Sequence, residues 1–374
     1  MKKVKLEEIE VLRGIAFLAV VLQHALAAIF IQPDINLSKI TIATTLLGLT
    51  RFAVPLFVFI SGVVLFYNYN NKLDYRSFLR KRFTQIFIPY FFWTIFYYVW
   101  ASMLGGVAST STFGQIQDIT QLTFTGEGYY HLWFMVMIIP FYFLFPFFRT
   151  FLSKYRRMST NLMVLTVFFA INLSIVWALN RGFIHSANPN LGFIFNYLDR
   201  NFIFWIFYFI LGGFVGLYYE QWKIFVRRSR FFIMAGIGIC VYLIYSDIAI
   251  INQNLTGNNY IQSSWVTGPL RPFMMVAILF LIVFIFFITE KLVQKKSFIT
   301  KMLNAFGKYS FGAYLIHAFV LRFTNQLAIN FFSNSGVFFQ TAVSFILCSI
   351  ISTLFCLIIS KMKISSGEVI MGKV

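Results

Sequence analysis

Arg13 and His24 stand eleven positions apart in a stretch otherwise dominated by apolar residues. On a helix, eleven residues make about three turns and about 16 Å, so the two side chains face the same way. An arginine at the mouth of a membrane helix suits phosphate groups. A neutral histidine at greater depth suits removal of a proton from a hydroxyl. One extended ligand could join them, with phosphates at one end, a long neutral arm and a reactive thioester at the tip. Acyl-coenzyme A has that shape. The plainer reading makes Arg13 a flanking charge and His24 a hydrogen-bonded core residue.

Arg80-Lys81-Arg82 precedes a later apolar run. Alone, it marks topology. At the same membrane face as Arg13, it is a second candidate phosphate site. Ionisable residues inside apolar spans are costly and mark candidate sites by default. The others are Arg51, His131, Asp247, Arg271, His317 and Arg322. His131 lies in Tyr130-His131-Leu132-Trp133-Phe134-Met135, and His317 ends the run Gly307 to His317, which also contains Tyr314. An aromatic-flanked histidine at a span edge is as often a snorkelling residue as a site. Pro55 perturbs its helix, and Ser61 and Gly62 read first as packing residues.

Other chemistries find little support. There is no GxSxG elbow and no Cys–His arrangement for an acyl-enzyme. No HExxH occurs, and no metal is expected. Cys240, Cys348 and Cys356 form no CxxC and read as packing residues.

These residues need a membrane to hold them. The chain of 374 residues is 59% hydrophobic and 11% charged, against roughly a quarter charged in soluble domains. Apolar runs of about 20 residues recur, the length of a transmembrane helix. Spans are expected near Ile9–Ile31, Thr44–Tyr69, Phe83–Leu104, Tyr129–Phe148 and Asn161–Leu179. They continue near Phe202–Tyr219, Phe231–Ile248, Trp265–Thr289, Tyr309–Phe332 and Val337–Ser360. The fold class is all-α: a polytopic bundle of about ten transmembrane helices. Strand-like alternation is absent, which argues against a membrane barrel. The first run is too long for a signal-peptide core and lacks a cleavage site, so it reads as a span.

The net charge of +19 has a topological explanation. With the N-terminus inside, the inner loops hold Lys72, Arg76, Arg149, Arg156, Arg227 and Lys301 among others, and the outer loops hold little besides Lys39, Arg181 and Arg200. This is the positive-inside pattern, and it puts both termini in the cytoplasm. The basic loops also suit anionic membrane lipids as partners. No nucleic-acid motif accompanies the charge, so no nucleic-acid partner is expected. Residues 1–360 read as one membrane domain and 361–374 as a short basic tail. The outer loops Gly105–Gly128, Arg181–Arg200 (with His185, Asn188, Pro189 and Asn190) and Asn252–Ser264 read as polar loops, solvated or in contact with sugars. No internal repeat of the transporter kind is visible. The sequence leaves oligomeric state open.

Taken together, the chain resembles acyltransferase family 3, the integral membrane O-acyltransferases. The resemblance rests on Arg13 with His24, the Pro55–Gly62 stretch and the Arg80/Arg82 pair, then His131-Leu132-Trp133-Phe134 and Ser310 to His317. These pieces follow family order along nearly the whole chain. The resemblance implies transfer of an acyl group, commonly acetyl, from cytoplasmic acyl-CoA (acetyl-CoA as co-substrate). The acceptor would be a hydroxyl of a cell-surface or secreted glycan or a related small molecule. It implies Arg13, Arg80 and Arg82 as donor-binding residues and His24 as the catalytic histidine. Arg51, His131, Arg271, Tyr314, His317 and Arg322 are then candidates for the acceptor side or the oxyanion. The chain resembles the stand-alone form, in a bacterial plasma membrane. One departure is that the ninth and tenth spans contain no Asp or Glu, so the partner of His24 is open. The rival reading is an exporter or flippase of a polysaccharide or lipid-linked sugar. A membrane partner without activity is the third.

Overall fold

The computed structural model describes residues 6–32, 35–69, 73–106, 108–154, 157–184, 197–254, 267–362 and 367–372. His185, Asn188, Pro189 and Asn190, most of the two later outer loops, and Lys72, Arg156, Lys363 and Lys373 lie outside the described residues.

The described chain is helical. In order run α1 (Glu7–Ala27), α2 (Leu37–Thr50), α3 (Ala53–Asn68), α4 (Tyr75–Arg82), α5 (Ile88–Met103), α6 (Thr112–Thr125), α7 (Trp133–Lys154) and α8 (Met158–Asn180). Then follow α9 (Ile206–Leu217), α10 (Tyr219–Arg228), α11 (Arg230–Asn254), α12 (Pro272–Lys295), α13 (Phe298–Phe331), α14 (Val337–Lys361) and the short α15 (Gly367–Met371). Among the described residues, eight helical stretches are long and apolar enough to cross a membrane, and a ninth arises if α9 and α10, bent by 103°, form one broken span. The protein is thus a multi-pass membrane protein; nine of the ten expected spans overlap these stretches, and the remaining one, Tyr309–Phe332, falls on the long helix α13, which is not among them.

Three local expectations change. The ninth helix begins at Phe298 rather than Tyr309, because Ser297 caps it by accepting from the Thr300 amide at 3.3 Å. Its first turns carry Lys301, Asn304 and Lys308, which read as loop when only apolarity is followed. The stretch Gly105–Gly128 contains α6, started by the Ser111 cap and stopped by Gly126 in the left-handed region at φ 71°. The basic tail includes α15, tied to α5 by Trp93 Nε1 donating to the Ile370 carbonyl at 2.7 Å.

Two close helix contacts organise the bundle. At Gly307 of α13, a Cβ would lie 1.7 Å from the Glu10 carbonyl oxygen of α1. At Gly212 of α9, it would lie 2.1 Å from the Phe59 carbonyl of α3. Glycine at these points lets backbones touch, the usual device where lipid offers no hydrophobic drive between helices. The expected span Thr44–Tyr69 is divided at Arg51–Phe52 into α2 and α3. Pro55 sits in the first turn of α3, where its missing N–H costs nothing. The amphipathic α10 clips onto the bundle through Lys223 with Glu8 at 3.8 Å, and through Arg227 Nε with Glu290 at 2.8 Å.

Candidate active site

Arg13, Arg82 and Lys308 meet on one cavity of about 340 Å³, between α1, α3, the α4–α5 junction, α7 and α13. Glu10 shares its wall and lies 3.5 Å from Arg13, one helical turn away. The Arg82 guanidinium sits between the rings of Phe78 and Tyr142, 5.3 Å from each centroid. Its Nε is buried with no hydrogen-bond partner among the described residues. A π-helical turn, Phe83–Phe87, follows at once and brings Gln85 and Ile86 onto the cavity. Such turns are rare and recur at functional sites. Lys308 comes directly after the Gly307 contact, so the same close approach of α1 and α13 sets it beside Arg13. Ser61 lines this cavity as well as packing, with its hydroxyl bonded to the Phe57 carbonyl at 2.9 Å.

Arg80 lies elsewhere. It borders a larger apolar groove of about 540 Å³ that shares Arg82, Ile86 and Tyr142 with the cavity. Apart from Arg80, Arg82 and Thr123 that groove has apolar and aromatic walls, whereas the smaller space also carries Glu10, Arg13, Gln85 and Lys308.

Tyr314, a buried residue, also lines this cavity. Behind it stand three of the four histidines of the chain. The His317 ring lies 5.7 Å from Tyr314, 4.8 Å from His131 and 5.3 Å from His24, centroid to centroid. His131 and His317 are 2% and 0% exposed. His24, on the last turn of α1, is partly exposed and lies 4.7 Å from Tyr130, which is 49% exposed. The cluster therefore opens on the Tyr130 side, and His24 is not on the cavity wall. Gln23, the neighbour of His24, donates to the Thr50 carbonyl at 2.5 Å, which sets the α2–α3 break and Arg51 beside this end of α1.

Backbone carbonyls hold the cluster. His131 Nε2 lies 3.2 Å from the Leu315 oxygen, and His317 Nδ1 lies 2.5 Å from the Tyr314 oxygen. Tyr97 donates to the Leu315 oxygen at 2.9 Å, and Tyr314 donates to the His131 oxygen. Cys348 donates to the His317 oxygen at 3.4 Å. His131 Nδ1 and His317 Nε2 are buried without a partner among the described residues.

Of the candidates named from sequence, Arg13 and Arg82 line the cavity, and Tyr314 bounds both cavity and cluster. His24, His131, His317 and Arg51 gather around the cluster. Arg271 and Arg322 are exposed, as is Asp247, and none lines the cavity. Glu10, Gln85, Tyr97 and Lys308 join the site without having been singled out. Lys308 was legible as part of the Gly307–His317 run; Tyr97 sits among many aromatics and had no local signal. Among the described residues, no group of three or more His, Cys, Asp or Glu is arranged to hold a metal ion.

Comparison with known proteins gives consistent results. A family model described as an acyltransferase domain (acyltransferase 3) matches residues 6–361. A Bacillus subtilis (strain 168) relative named "Putative membrane-bound acyltransferase YfiQ" is 25% identical over 334 residues, covering 87% of this chain and 84% of the relative. A Staphylococcus aureus (strain MRSA252) relative named "Probable poly-beta-1,6-N-acetyl-D-glucosamine export protein" is 26% identical over 355 residues, covering 93% and 91%. A Staphylococcus epidermidis relative of the same name is 23% identical over 360 residues, covering 95% and 90%. No solved structure matches the chain. With nearly its whole length matched, this multi-pass membrane protein belongs to the acyltransferase 3 family.

Proposed function

We propose that this acyltransferase moves an acyl group, acetyl in the first instance, from acyl-CoA to a hydroxyl of a cell-surface or secreted glycan. The membrane is a bacterial plasma membrane, with the donor entering from the cytoplasm. One observation carries the reading: the cavity walled by Arg13, Arg82 and Lys308 is also walled by Tyr314, whose ring packs against the histidine cluster. Three cations against one carboxylate suit a ligand with several phosphates.

In the reaction, the phosphates rest on Arg13, Arg82 and Lys308, and the thioester reaches toward Tyr314. The acceptor hydroxyl comes from the Tyr130 side. His24 takes its proton as the oxygen attacks the thioester carbon. A C–O bond forms, the C–S bond breaks, and the thiolate leaves and is protonated to free coenzyme A. Of the two oxyanion candidates, Tyr314 lines the cavity and Arg322 does not, and the Tyr314 hydroxyl would have to release the His131 carbonyl to donate to the oxyanion. No acyl-enzyme is needed.

The test supplies acetyl-CoA to the purified protein in liposomes and follows free thiol with and without cell-envelope glycan. His24→Ala is run in parallel. Thiol release that needs both His24 and acceptor supports the reading. Absence of both release and acyl-CoA binding in the wild type sinks it. The names of the staphylococcal relatives favour one rival, polysaccharide export. That reading requires labelled poly-N-acetylglucosamine to cross the liposome membrane without consumption of acyl-CoA.

A further inference from the structure

We infer that His317 is the partner that orients His24, taking the place that a carboxylate holds in many catalytic triads. The inference rests on the acyltransfer reading for its consequence, but not for its geometry.

A backbone carbonyl oxygen can only accept a hydrogen bond. The 2.5 Å contact between His317 Nδ1 and the Tyr314 oxygen therefore puts the ring hydrogen of His317 on Nδ1. The other nitrogen, Nε2, is left as a bare acceptor. It is fully buried and has no partner among the described residues. Such a group is rare in folded proteins and calls for an explanation. The neighbour able to meet it is His24, whose ring centroid is 5.3 Å away with the planes tilted by 31°. The bond itself is not made in this structure, where Nε2 has no partner, but a turn of the His24 ring about its Cβ–Cγ bond would bring a ring N–H to it across that short separation.

A directional chain follows. The Tyr314 carbonyl fixes the tautomer of His317, and bare Nε2 accepts the N–H of His24 once that ring has turned toward it. The second nitrogen of His24 is then the basic one, free for the acceptor hydroxyl. Setting a catalytic histidine's tautomer through the hydrogen bond at its other nitrogen is a general device. The chain is held at its base by Cys348 Sγ on the His317 carbonyl. The other titratable or charged groups around it are His131, Tyr97, Tyr130 and Tyr314, with Arg51 at the adjoining α2–α3 break. None of these is a carboxylate. His317 thus acts through His24 and is a positioning residue.

The test has two arms. In the first, the full-length protein labelled with ¹⁵N-histidine is reconstituted in liposomes and studied by solid-state NMR. The expected result is a neutral His317 carrying its hydrogen on Nδ1, and a single His24 tautomer that becomes mixed in His317→Leu. A hydrogen on Nε2 of His317, or a His24 signal indifferent to His317→Leu, overturns the pairing. The second arm measures turnover. His317→Leu is expected to lower kcat by about 10²–10³-fold, within the range of general-base effects, with KM for acetyl-CoA nearly unchanged. His317→Gln, whose side-chain oxygen can accept where Nε2 does, is expected to recover most of that loss. Equal loss in both variants overturns the proposal. A wild type that shows the expected tautomers but releases no coenzyme A leaves the pairing standing and removes the acyltransfer reading.

Discussion

The cavity and the histidine cluster share Tyr314 yet are built on opposite principles. The cavity is bounded by long cationic side chains, with Lys308 exposed and Arg82 cradled between two rings. Such side chains can follow a ligand of irregular charge. In the cluster, three polar side chains (His131, His317 and Tyr97) are bonded to two adjacent backbone carbonyls of α13, and Tyr314 to a third carbonyl before α7. Its geometry is that of the fold itself. The difference teaches that donor binding and proton transfer should be separable by mutation.

The largest expected effect is at His24. His24→Ala should cut acyl transfer by roughly 10²–10⁴-fold while acyl-CoA affinity, read by calorimetry, stays within about twofold. A parallel loss of affinity would merge the two regions into one. Next come the cations. Arg13→Ala and Arg82→Ala each remove charge-assisted hydrogen bonds worth about 1.5–3 kcal/mol, so acyl-CoA binding should weaken roughly 10- to 100-fold. Arg80→Ala, which borders the apolar groove instead, should change it by less than about threefold in the same titration. An equal loss at Arg80 would mean that the donor spans both spaces.

Gly307→Ala probes the contact that sets the cavity. A Cβ there overlaps the Glu10 carbonyl, and overpacking of this kind costs about 1–3 kcal/mol. Thermal unfolding in detergent should shift down, and donor binding should fall with it because Arg13 and Lys308 flank the displaced backbone. Unchanged binding would detach the cavity from that contact.

The smallest effect is at α6, away from both regions. Hydrogen bonds from the Ser109 side chain and backbone, assisted by Tyr98, hold the Asp118 carboxyl below its ordinary value. A depressed carboxylate stabilises the fold above its unfolded pKa and loses that contribution as pH falls through the folded one. The Ser109–Asp118 link should thus persist at neutral pH and loosen below about pH 4, seen as faster amide exchange at Ser109. Asp118→Asn should remove that pH dependence and leave acyl transfer unchanged.

Much of this was legible in the chain. The apolar runs gave the helices, because a span in lipid must be long and apolar. The eleven-residue spacing put Arg13 and His24 on one helix. What stayed hidden was polar by necessity. The first turns of α13 carry Lys308, which borders the cavity, and the exposed Lys301, so apolarity alone reads them as loop. The meeting of His24, His131 and His317 joins residues up to 293 positions apart. It depends on where α1 rests on α13, and on carbonyls that any residue supplies. The partner of His24 was sought among carboxylates, whereas the structure brings a histidine ring to its side.

The glycine contacts also bear on how the proposed acyl-CoA donor would get in. Where backbone touches backbone, as between α1 and α13 and between α3 and α9, there is no slack for one helix to slide on the other. The remaining walls of the cavity, the π-turn Phe83–Phe87 and α7 with Pro140 and Pro146 inside it, have weaker or missing main-chain hydrogen bonds. Breathing of the entrance is therefore assigned to this side. Amides of Phe83–Phe87 should exchange with deuterium faster than those of Gly307–His317, and saturating acyl-CoA should slow the first set alone.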